Sequence, residues 1–144
     1  MSFRRKDTST SRTAIEQIDG RWPEPGDDAT YVVRTVHRLR RVPIRDLTTE
    51  GLRMLVGQCV SLPLIAPRVL EVLDRDPLIA GDFYPGDLLV ATLRNADQLG
   101  TEHRDELRAV VERIRDGACG PVPAEVWELA NDLGGGSQSG TLAP

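Results

Sequence analysis

Cysteine, histidine and aromatic residues are scarce in this chain of 144 residues, and each scarcity removes a class of chemistry. The two cysteines, Cys59 and Cys119, are far apart and form neither a CxxC pair nor any spacing with histidine that suits a metal. A disulfide framework and a zinc module are excluded, and two reduced, buried thiols are expected. The only histidines, His37 and His103, fall on different predicted helices, so nothing in their spacing asks for a metal site. HExxH, GxSxG, Walker and Gly-rich dinucleotide patterns are all missing, and neither cofactor nor catalysis is expected. No apolar run approaches the roughly 18 residues that would span a bilayer, and the opening MSFRRKDTSTSR has no apolar stretch behind its basic residues. The sequence therefore predicts a soluble, cytoplasmic protein without membrane association, monomeric by default.

What is present is enough for one domain. The length is close to that of a single domain, and 40% hydrophobic content suffices for a core without staples. The formal net charge is −4, but the first twelve residues carry Arg4, Arg5, Lys6 and Arg12 against Asp7 alone. That surplus of three leaves about −7 on the remainder, a moderately acidic body with a basic tail. Such a balance favours a basic partner over nucleic acid, because phosphate binding needs a positive surface.

Proline and glycine divide the chain into short segments with helical periodicity. Residues 1–12 read as a disordered basic tail, 13–133 as a helical domain and 134–144 as a flexible Gly/Ser tail. Within the domain, helices are predicted over about 13–19, 28–41, 48–60, 63–75, 85–94, 101–115 and 123–133. Asp28, Thr48 and Thr101 are the expected caps, and Pro67 is expected to start or bend the fourth helix. Val32, Val36 and Leu39 make one stripe of the second helix, while Arg34, Arg38 and Arg41 repeat the same spacing on another face. Cys59 falls in the apolar phase of the third. Strand signals are poor, so the expected class is all-α, a compact domain of six to seven short helices.

Two patterns admit a functional reading beside a structural one. The arginine face, with Arg40 nearby, could contact nucleic acid, but a salt-bridged face is favoured because no aromatics interleave for base stacking. The stretch GDFYPGDLL, residues 81–89, groups Phe83 and Tyr84 between Asp82 and Asp87. It reads either as an interaction loop or as a helix entry with Phe83 packed inward and Tyr84 covering the corner. His37 is expected to be a partly exposed helix residue bonded to a carbonyl or an acid rather than a catalytic base. Trp22 and Trp127 are candidate anchors for a core or an interface.

Four blocks, ID-G-RWPEP at 18–25, VHRLRRVPIRDLTTEGLRMLVGQ at 36–58, LPLIAPRVLEVL at 62–73 and DPLIAGDFYPGDLL at 76–89, together resemble immunity proteins of bacterial contact-dependent growth inhibition systems. His37, Arg38, Leu39, Arg40, Pro43, Gly57, Gln58, Gly81, Pro85 and Gly86 carry the resemblance and are expected to be structural. Gly51, after Glu50, and the pair Cys59 and Val60 depart from the pattern, the first putting the helix cap in question. The resemblance implies a cytosolic antidote that binds the C-terminal toxin domain, a nuclease by expectation, and covers its active site without catalysis. Candidate toxin-binding residues are Asp82, Phe83, Tyr84 and Asp87, followed by Trp22, Glu24, Asp27 and Asp28. The other reading, a regulatory module that binds nucleic acid through Arg34, Arg38 and Arg41, stays open at this point.

Overall fold

The computed structural model describes residues 12–117 and 121–142, of which 134–142 by backbone alone. Among these residues the chain forms seven α-helices: α1 Ile15–Asp19, α2 Tyr31–Leu39, α3 Thr49–Gly57, α4 Leu62–Arg75, α5 Asp87–Arg94, α6 Thr101–Asp116 and α7 Ala124–Leu142. Short 3₁₀ turns at Ile44–Asp46 and Ala96–Gln98 complete it, and no strand is present in the described residues, only the isolated bridges Ala14 to Pro43 and Ala80 to Pro85. The all-α expectation holds. The expected basic tail, apart from Arg12, and Cys119 lie outside the described residues.

The short helix α5 is the centre of the packing. All its residues from Asp87 to Leu93 are buried, so it is enclosed around its whole circumference, with the polar Asp87 and Thr92 hydrogen-bonded to backbone. It packs on α3 on one side and α7 on another, while α4 lies against α6. One continuous core results, in which Leu52, Leu55 and Val56 of α3 and Ile65, Val69 and Leu73 of α4 join Leu107, Val110, Val111 and Ile114 of α6. Pro67 is accommodated inside α4, which begins at Leu62 with Pro63 in the first turn, where a missing N–H costs nothing.

Several ends differ from their predicted positions because the capping side chain lies elsewhere. The N-cap of α2 is Thr30, whose Oγ1 accepts the Val33 N–H at 3.2 Å, and not Asp28. Thr48 caps α3 as expected, accepting the Gly51 N–H at 3.0 Å, so the Gly51 departure leaves the cap intact. A Cβ at Gly51 would stand 3.2 Å from Leu39, so the glycine also lets α2 and α3 approach closely. Gly100, with φ 92°, precedes α6, where Thr101 was expected to cap. The last helix is longer than the predicted 123–133, although its buried residues, Val126, Ala130 and Leu133, all fall within that span.

The largest correction concerns Cys59. The third helix stops at Gly57, and its exit is a Schellman motif: the Cys59 N–H donates to Val56 O at 3.0 Å and the Val60 N–H to Leu55 O at 2.9 Å. Cys59 occupies the left-handed position at φ 56°, which turns its side chain out of the apolar phase. The thiol expected to be buried is therefore exposed and free.

Candidate functional site

The GDFYPGDLL segment is a loop held from below by two carboxylates. Gly86, at φ 93°, swings the chain into α5. Asp87, in the first turn, reaches back so that its carboxylate accepts N–H groups from Gly81 at 2.6 Å, Phe83 at 3.0 Å and Tyr84 at 3.4 Å. Glu50 of α3 approaches from the other side, and its Oε1 accepts the Asp82 N–H at 2.9 Å. Gly81 is required where these two carboxylates converge, since a Cβ there would lie 2.7 Å from Glu50 Oε1 and 3.0 Å from either Asp87 oxygen. The loop backbone is thus fixed by side chains belonging to two helices.

Arg53 completes the support. Its guanidinium pairs with Glu50 through both Nε, at 2.7 Å, and Nη2, and lies 4.3 Å from the centroid of the Phe83 ring. The Arg53 hydrogen bond holds the Glu50 carboxyl below its ordinary range, partial burial opposes this, and the Asp82 N–H adds to the lowering. Phe83, packed inward in the helix-entry reading, is instead 69% exposed, while Tyr84 is partly covered at the corner. The reason is that Pro85 and Gly86 turn the chain so that Leu88 and Leu89, not the aromatics, supply the buried contacts. Asp87, expected to reach a partner, is 3% exposed and occupied by the loop's own backbone.

A second cluster straps residues 20–25 to the end of α2. Arg40 is buried beneath Trp22, 3.8 Å from the ring centroid, and donates through Nη2 to Gly20 O at 2.8 Å. His37 is also buried, more deeply than predicted, with Nε2 3.4 Å from Trp22 O. Arg41 bonds Glu16 at 3.3 Å and also pairs with Glu24, which lowers the Glu24 carboxyl and raises the Arg41 guanidinium. Arg34 donates to the carbonyls of Ala29 at 3.1 Å and Asp27 at 2.6 Å, closing the turn in which Asp27 and Asp28 are exposed. HRLR and RWPEP, separate in sequence, are therefore two halves of one contact. Three of the four arginines that could have met nucleic acid hydrogen-bond within the protein, Arg40 buried and Arg34 and Arg41 at the surface, while Arg38 is exposed. His37 Nε2 faces the Trp22 carbonyl, as the helix-surface reading of this residue expected of its partner.

Arg38 lines a groove of about 350 Å³ between α2, the 3₁₀ turn and α3, together with Tyr31, Asp46, Glu50, Met54 and Asp82. Sequence reasoning missed Tyr31 and Asp46, whose only signal was an exposed phase on their elements. Among the described residues no cluster of His, Cys, Asp or Glu could hold a metal ion, and no helix is long and apolar enough to cross a membrane.

The fold is thus a small helical domain whose aromatic loop and N-terminal segment are each held by side chains of neighbouring elements. Residues 16–110 match the model of a family described as CDI immunity proteins. The chain belongs to that family, and its role is immunity, exercised by binding a cognate toxin protein. No curated protein matches the chain.

Proposed function

We propose that the protein neutralises its toxin by one-to-one binding that covers the toxin's active site, with no catalysis of its own, and that the toxin domain is a nuclease acting in the cytoplasm. The observation that carries the choice of surface is Phe83, 69% exposed at the head of a loop whose backbone is pinned by Asp87 and Glu50. A large exposed aromatic on a preorganised backbone gives up little entropy on binding, which is how interface anchors gain their energy. Asp82 and Tyr84 flank it as contacts, and Asp87 acts as a positioning residue. Trp22, with Asp27 and Asp28 on the following turn, forms a second contact area; Glu24 adds charge there while paired with Arg41. The acidic body steers association with the cationic groove that a nuclease needs for its substrate.

Co-expression of a cognate toxin domain, with and without this protein, tests the reading. Cells should survive only with the protein, and Phe83→Ala should weaken toxin binding by about 2 kcal/mol. Equal killing in both cases would overturn the proposal.

A further inference from the structure

Beside the proposed loop contact, the groove lined by Tyr31, Asp46 and Asp82 is, we infer, a socket for one arginine side chain of the toxin. The inference rests on the immunity reading and adds to it the chemistry of one contact. Three carboxylates, Asp46, Glu50 and Asp82, line the groove against a single guanidinium, Arg38. Glu50 is already paired with Arg53, whereas Asp46 and Asp82 are exposed and form no ion pair among the described residues. Counting Arg53, which also feels the Asp82 charge, three carboxylates face two guanidiniums, so the lining stays net negative in a concave space of about 350 Å³.

Tyr31 distinguishes this groove from a plain acidic patch. It is the most exposed large hydrophobic residue described, at 73%, and it forms part of the wall that the carboxylates share. A planar guanidinium can stack on that ring while its N–H groups meet a carboxylate in a fork, which a lysine ammonium cannot do. The socket is continuous with the proposed anchor, because Asp82 lines the groove and Phe83 follows it on the same pinned loop. One toxin surface could engage both.

The test uses the full-length protein and the purified toxin domain in a calorimetric titration. The double substitution Asp46→Asn with Asp82→Asn should weaken binding at least about tenfold, with Tyr31→Ala losing several-fold. Arg38→Ala should tighten binding several-fold, since it removes the competing cation. In an arginine-to-alanine scan of the toxin, one arginine should cost wild-type affinity yet cost nothing further in the double variant. Circular dichroism and the unfolding midpoint, expected to be unchanged for these exposed positions, show that each variant is folded. A folded double variant that binds within twofold of wild type would overturn the socket while leaving the immunity reading in place. Loss of binding in Arg38→Ala alone would overturn it in favour of an acidic occupant. A wild-type protein that neither binds nor protects would remove both.

Discussion

The guanidinium of Arg40 lies 3.8 Å from the centre of the Trp22 ring, and the arginine is only 1% exposed. A charge so buried is tolerable because the indole face and the Gly20 carbonyl take the place of water. Trp22→Ala should therefore destabilise the fold by about 1 to 3 kcal/mol, since it removes the ring contact with the guanidinium and the apolar area that the indole covers. Urea unfolding measures this, and Trp22→Phe should recover part of the loss. A change under 0.5 kcal/mol would mean that the strap is decoration.

Asp87 serves the loop before it serves the helix. Asp87→Asn keeps the shape but replaces one acceptor oxygen by a donor, which then faces the N–H groups of Gly81 or of Phe83 and Tyr84. A cost of about 1 to 3 kcal/mol is expected. Amide hydrogen exchange should rise over residues 81–84 and stay at wild-type levels in α6. Uniform change across the protein would contradict a local role.

Gly81 and Glu50 should be coupled. An alanine methyl at position 81 would stand 2.7 Å from Glu50 Oε1, so Gly81→Ala should destabilise by about 1 to 3 kcal/mol. Combining it with Glu50→Ala should cost less than the sum of the two single changes, because removing the carboxylate also removes the clash. Additivity in a double-mutant cycle would place the strain elsewhere.

The exit of α3 offers a gain. Cys59 holds a left-handed conformation, φ 56°, at a position where glycine carries no steric penalty. Cys59→Gly is expected to raise stability by about 1 kcal/mol despite losing the contact of Sγ with Asn95 Oδ1 at 3.1 Å. In the wild-type protein the thiol should react with Ellman's reagent without denaturant.

Glu50 gives a pH dependence of known sign. Its folded carboxyl is lowered, first by the Arg53 hydrogen bond, so the unfolded chain binds this proton more readily. The stabilisation is present above the ordinary glutamate value, about 4.3, and is lost as pH falls through the lowered folded value. The stability difference between wild type and Glu50→Gln should accordingly shrink as the medium is acidified from pH 6 to about pH 3. A difference that is constant or grows in acid would refute the assignment.

The α-helical class, the order of the helices and most of the core were legible in the chain. Leu107, Val110, Val111 and Ile114 recur at helical spacing and are all buried, because a helix of this length must hide one face wherever it lies. The ends were less legible: Thr30 takes the cap assigned to Asp28, and α3 stops before Cys59, because a cap depends on which side chain the turn brings within reach. Candidate contacts divided in the same way. Phe83 and Asp87 are four residues apart in one conspicuous block, yet the fold exposes the aromatic and buries the acid.

The sequence by itself determined the class, the apolar faces and the family, since local periodicity and four ordered blocks are properties of a string. Only the tertiary structure decided what those blocks do. Arg40 meets Trp22, Glu50 meets the backbone of Asp82, and Tyr31 shares a groove with Asp82, all across separations that no local pattern spans. Charges and rings acquire a role from their neighbours in space, and in this protein the neighbours come from distant segments of the chain.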